Sequence, residues 1–210
     1  MTVTAVLFDF GGVILSSPFE AFARYEADND LPNGFLRRIN TINPDDNAWA
    51  RLERGQVDIA GFCRQFEAEA LAAGHAVNGR EVLDLLAGDL RPEMVEVVRR
   101  CSRRLKTALL TNNFVGLADA DDAPHPHHDV IGLFDVIVES SKAGVRKPDP
   151  RFYVLACEQL DILPSDAVFL DDLGINLKPA RALGMHTIKV GDPATAIVEL
   201  EAVVGFPLRV

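Results

Sequence analysis

A chain of 210 residues with 48% hydrophobic and 25% charged residues has the profile of a soluble globular protein. It can bury one sizeable core, or a core with a small insertion. The net charge of -10 argues against nucleic acid and anionic membranes as partners, although a local pocket can oppose it.

The opening MTVTAV has no basic stretch before an apolar one, so no signal peptide is expected, and no apolar run approaches the roughly 20 residues of a membrane span. Cys63, Cys101 and Cys157 are odd in number and far apart, which suits a reducing cytoplasm better than a disulfide framework or a zinc site.

Residues 3 to 10 read as a buried strand, apolar and stopped by glycines. Residues 16 to 90 read as helices without a convincing strand. Phe19, Phe22 and Tyr25 recur at helical spacing, Gly55 is a helix stop, and Asp58 is an N-cap. Ile59, Phe62, Cys63 and Phe66 then share one helical face. From about residue 92 strand and helix alternate. Pro92 opens a helix, "KTALLTNN" and "FDVIVES" are strands, and Asp149-Pro150 caps and starts another helix. "AVFLDD" is a strand, "GINLKPARALGM" a helix with Pro179 in its first turns, and "HTIKV" a strand; Asp192-Pro193 opens the last helix.

Such alternation predicts an α/β fold: a doubly wound, Rossmann-like parallel sheet with helices on both faces. The first strand stands apart from the others. The expected organisation is therefore a core of residues 1–15 and 91–210 with a helical cap, 16–90, inserted after the first strand. That insertion would sit over the carboxyl ends of the strands, where such sheets bind ligands.

The chemically able residues sit at those ends. Asp9 closes the first strand, Thr111 closes "ALLTNN", Lys147 follows "VIVES", and Asp171 and Asp172 close "AVFLDD". Carboxylates at this density suit a hard cation with oxygen ligands, magnesium above all. Lys147 and the Thr111 hydroxyl suit phosphoryl oxygens. The set describes metal-assisted phosphoryl transfer with one carboxylate free to act as nucleophile.

The order Asp-x-x-Gly-Val at Asp9, "LLTNN", "RKPDP" and "FLDDLGINLKPA" resembles the haloacid dehalogenase superfamily over nearly the whole chain. It looks like the branch that holds the phosphatase domain of soluble epoxide hydrolase and the N-terminal segment of acyl-CoA dehydrogenase family member ten. The resemblance implies Asp9 as nucleophile, forming an aspartyl phosphate. It implies Thr111, Lys147 and backbone amides near Asn112 as the phosphoryl site. Magnesium would be held by Asp9, the Gly11 carbonyl and Asp172, with Asp171 in or just behind that set. Gly12 and Asn176 would support the cluster. The cap would select a small phosphorylated substrate.

Most phosphatases of the superfamily carry a second aspartate where this chain has Gly11. Such a group protonates the leaving oxygen, and a positioned acid contributes about 100- to 10,000-fold. Three readings follow: a phosphatase favouring good leaving groups or helped by a cap residue acting as acid, a 2-haloacid-type dehalogenase, or a weakly catalytic domain that binds phosphorylated metabolites. "DDAPHPHHD", with His125, His127 and His128, reads as a surface loop rather than a metal site. Trp49, Phe62 and Phe66 read as packing residues of the cap, and Glu67 and Glu69 as a solvated helix face. A monomer and a homodimer both fit the sequence.

Overall fold

The structure, a computed structural model, describes residues 3–113 and 127–209. Strand β1 (Ala5–Phe8) leads into a π-type turn over Phe10–Ile14. Five helices follow: α1 (Phe19–Asp28), α2 (Phe35–Thr41), α3 (Ala48–Glu53), α4 (Ile59–Ala72) and α5 (Gly79–Asp84). Helix and strand then alternate through α6 (Pro92–Ser102), β2 (Lys106–Thr111), α7 (His128–Ile131) and β3 (Val136–Glu139). The chain continues with α8 (Ser140–Ala143), α9 (Pro150–Leu160), β4 (Ala167–Asp171), α10 (Gly174–Ala182), β5 (His186–Lys189) and α11 (Pro193–Val204). This is the expected α/β fold. Among the described residues the five strands of the sheet pair in parallel, in the order β3-β2-β1-β4-β5.

Both faces of the sheet are covered because the strands are apolar on both sides. Val6, Phe8, Leu109, Val168 and Leu170 pack with Met94 and Val97 of α6 and Ile197 and Leu200 of α11. Leu7, Ala108, Leu110 and Phe169 pack with Phe152 and Ala156 of α9 and Leu177 of α10. Several caps fall where the residue types demand them. Asp58, Asp149 and Asp192 each accept a hydrogen bond from a first-turn amide of the helix they precede.

The first strand is shorter than its apolar run. It stops at Phe8, since Asp9 turns its carboxylate back to accept from the Phe10 amide at 2.7 Å. Gly12 then adopts φ +77°, a left-handed conformation that favours glycine. Pro179 lies inside α10, in its second turn.

Helices α1 to α5 pack around a cluster of their own, built on Phe22, Phe35, Trp49, Phe62 and Phe66. Phe62 stacks on Phe66 at 5.2 Å and meets Trp49 at 4.7 Å, so these aromatics are packing residues. Glu67 and Glu69 are not simply solvated: they accept from the amides of Gly79 and Ala48, tying α4 to α5 and α3. Leu15 and Leu90 form an antiparallel bridge, which draws the two ends of the helical segment together at the sheet edge. Phe62→Ala should cost about 3–5 kcal/mol by leaving a cavity in this cluster. Urea unfolding checks this; a loss below about 1 kcal/mol would mean that the cluster does not depend on the stack.

Candidate active site

The parallel register sets the site. Phe8 aligns with Leu109 on one side and Leu170 on the other, so Asp9 emerges beside Asp171, and Thr111 closes the neighbouring strand. Lys147, in the loop before α9, reaches into the gap. Its Nζ lies 2.7 Å from Asp9 Oδ1 and 2.8 Å from Asp171 Oδ2, with only 2% of the residue exposed. An ammonium buried this deeply persists only when paired. Burial alone would lower its pKa, but Asp171 and Asp9 together raise it above the ordinary lysine value.

Asp171 is fully engaged. Its carboxylate accepts from Lys147, from the Leu173 amide at 2.8 Å, and from Asn176 Nδ2 at 3.1 Å to each oxygen. Asn176 is held in turn by the Tyr153 hydroxyl, which donates to its carbonyl at 2.7 Å. Asp171 therefore orients Lys147. Asp9 Oδ1 accepts from both Lys147 and the Phe10 amide, which leaves Oδ2 without a hydrogen bond among the described residues. Burial raises the Asp9 pKa well above the carboxylate norm against the opposing pull of Lys147. Asp172 is pushed up to about 6, first by burial and then by Asp171.

Oxygens of Asp9, Asp171 and Asp172 lie within 4.8 Å of one another, the one such group of potential metal ligands among the described residues. One ammonium faces three carboxylates, so the donor set is short of positive charge and suits a divalent cation with oxygen ligands. The backbone is drawn close to the cluster: a Cβ on Gly12 would stand 2.4 Å from Asp172 Oδ2. Gly11 is different. Its backbone is extended, with φ -69°, and a Cβ there would meet nothing within 4 Å.

Thr111 is buried at the end of β2. Asn112 braces the lysine loop reciprocally: its Oδ1 accepts from the Lys147 amide at 2.9 Å and its Nδ2 donates to the Lys147 carbonyl at 3.1 Å. The same Nδ2 donates to Glu53 of α3, whose carboxylate also pairs with Arg146. Arg146 donates as well to the Pro44 carbonyl at 2.7 Å. Glu53 and Arg146 therefore tie the helical segment to the site loops. Arg91 donates to the Gly12 carbonyl at 2.9 Å and steadies the glycine turn. Sequence reasoning missed Glu53, Arg91 and Tyr153, whose partners lie 59, 79 and 23 residues away. Only Arg146 had a signal, its place beside Lys147. His125 lies outside the described residues; His127 packs on Phe10 and His128 pairs with Asp129.

A doubly wound sheet with an acidic cluster and a buried lysine at its carboxyl edge defines an α/β protein with a candidate active site at its strand ends. More particularly, the chain belongs to the haloacid dehalogenase-like hydrolases, whose family model matches residues 3–184. It is 37% identical to acyl-CoA dehydrogenase family member 10 of Mus musculus over 98% of this chain, but only 19% of that protein. It is 31% identical to bifunctional epoxide hydrolase 2 of Sus scrofa over 99% of this chain and 40% of that one. The chain thus spans less than half the length of either relative. A phosphatase of Mycobacterium tuberculosis is 30% identical, with 90% of this chain and 88% of that one covered.

Among solved structures, a haloacid dehalogenase family enzyme from Bacteroides thetaiotaomicron, in complex with magnesium and inorganic phosphate, superposes with a TM-score of 0.62 at 20% identity. That match covers 90% of this chain and 96% of the other. A dehalogenase in an intermediate complex gives a TM-score of 0.66 at 18% identity, with 97% of each chain covered. These two likenesses concern the fold. No helix among the described residues is long and apolar enough to cross a membrane.

Gly12→Ala combines a strained φ with a methyl group driven against Asp172. A divalent cation held by the acidic cluster would then bind at least about tenfold more weakly, by analogy with other changes that disturb metal-ligand orientation. Isothermal titration with magnesium checks this; unchanged affinity would remove the close backbone approach from the metal-site account.

Proposed function

We propose that the protein is a magnesium-dependent phosphatase that works through an aspartyl phosphate. The observation that carries this is the buried Lys147 ammonium shared between Asp9 and Asp171, beside an Asp172 carboxylate that receives no hydrogen bond from another described residue. Asp9 is the nucleophile: an oxygen of its carboxylate attacks phosphorus, and the bond from phosphorus to the leaving oxygen breaks. Lys147 opposes the rise that burial imposes on the Asp9 pKa and offsets charge on the phosphoryl oxygens. Thr111 and the amides near Asn112 bind those oxygens. Water then attacks phosphorus, releasing phosphate and restoring the Asp9 carboxylate.

Asp9, Asp172 and the Gly11 carbonyl would hold the magnesium, with Asp171 behind them and Gly12 and Asn176 in support. Bound there, it supplies Lewis-acid neutralisation of charge on the phosphoryl group. Residues 16–90 form the cap over a core of 1–15 and 91–210, and they select a small phosphorylated substrate. Because Gly11 offers no carboxyl group to protonate the leaving oxygen, the favoured substrates are those whose leaving group is stable as an anion, such as aryl and acyl phosphates.

The same glycine keeps a dehalogenase reading open, since halide leaves without a proton, and a weakly catalytic phosphate-binding domain would use the same pocket. Magnesium dependence separates the readings. The expected result is hydrolysis of 4-nitrophenyl phosphate with magnesium, loss of it in EDTA, and at least about a thousandfold loss in Asp9→Asn. Halide release from 2-haloacids in EDTA would favour the dehalogenase, and no turnover of either class the binding domain. Gly11→Asp enters open space with an ordinary φ. It should raise alkyl phosphate hydrolysis by about 100-fold or more. Aryl phosphate hydrolysis should gain much less, and an equal gain for both classes would sink the missing-acid explanation.

A further inference from the structure

A cavity of about 380 Å³ opens beside Asp172 and Gly12. Three cationic side chains line it from separate parts of the fold: Arg37 of α2, Arg91 ahead of α6, and Lys189 at the end of β5. Asp172 is the one acidic residue in its wall. Such a cluster runs against a chain with 31 acidic and 21 basic residues, so it is a local reversal of the global field.

These cations are largely free. Among the described residues Arg37 and Lys189 form no ion pair, and the hydrogen bond of Arg91 goes to the Gly12 carbonyl. Arg37 is nevertheless held in place, its guanidinium 4.2 Å from the centre of the Phe19 ring, which also lines the cavity. Ser17 supplies an independent observation. It lines the same cavity, and its Oγ is buried without a hydrogen-bond partner among the described residues. A buried hydroxyl left unmatched is costly unless a ligand completes it. The N-terminus of α10, at Leu173 and Gly174, faces the cavity with no side-chain cap.

We propose that this cavity binds a second anionic group of the substrate, a carboxylate or a further phosphate. On the phosphatase reading above, on which this rests, the substrate class is then a phosphate ester whose leaving group itself carries an anion. Arg37 and Lys189 provide charge, and Ser17 donates a hydrogen bond. Asp172, shared between the cavity and the acidic cluster, places the two side by side.

The experiment uses unreactive probes that carry the phosphoryl-like group with and without the second anion. Isothermal titration in magnesium buffer compares 3-phosphonopropionate with propylphosphonate on the wild-type protein, Arg37→Gln and Lys189→Gln. Both side chains are exposed, and a melting curve confirms that each variant is folded. The wild type should bind the carboxylate-bearing probe at least about tenfold more tightly, and each substitution should cut that preference several-fold. Equal affinity for the two probes, no binding of either, or a preference that survives both substitutions would overturn the assignment. Turnover of 4-nitrophenyl phosphate is scored separately: its absence removes the phosphatase reading, while a probe preference lost in both variants still identifies the anion cavity.

Discussion

The structure of the site depends on one buried ammonium. Lys147 is nearly inaccessible, and it is stable as a cation because two carboxylates from adjacent strands face it. The constraint runs both ways. Without Lys147, Asp9 and Asp171 would bring two negative charges together in a low-dielectric interior, a cost of several kcal/mol that protonation would otherwise relieve. Much of the neighbouring polar structure maintains this arrangement. Asn176 and the Leu173 amide fix Asp171, Tyr153 fixes Asn176, and Asn112 grips both sides of the Lys147 backbone.

The arrangement assigns different work to two adjacent acids. Asp171 spends both oxygens on structural partners, whereas Asp172 keeps its carboxylate open and destabilised, with its pKa pushed up to about 6. A group left in that condition gains most from a cation. The neighbouring glycines differ in the same spirit. Gly12 is favoured as a glycine by its φ of +77°, and a side chain there would also have to displace the Asp172 carboxylate. Gly11 has room for a side chain, so its lack of a carboxyl group is a chemical property rather than a steric requirement.

The helical segment is joined to this chemistry by polar ties as well as chain connections. Glu53 and Arg146 connect α3 to the loops that carry Asn112 and Lys147, and Leu15 and Leu90 bind the two crossings into one neck. Burial raises the Glu53 pKa, while Arg146 opposes that rise by supplying a counter-charge. The tie and the lysine brace share Asn112, so packing of the segment and placement of Lys147 are mechanically linked.

The sequence by itself determined the alternation of strands and helices, the insertion after the first strand, the Asp and Pro helix starts, and the strand-end position of Asp9, Thr111 and Asp171. These are local properties: apolar periodicity, cap chemistry, and the rule that parallel strands end on one edge. It also marked Gly11, because a residue type can be read without coordinates. What only the tertiary structure decided are matters of distance between remote residues. The division of labour between Asp171 and Asp172, the Glu53–Asn112 tie, and the meeting of Arg37, Arg91 and Lys189 around Ser17 follow from strand register and helix packing. Glu53, Arg37, Arg91 and Lys189 carry no signal of their own, since an isolated charged side chain reads as solvated surface until the fold supplies its neighbour.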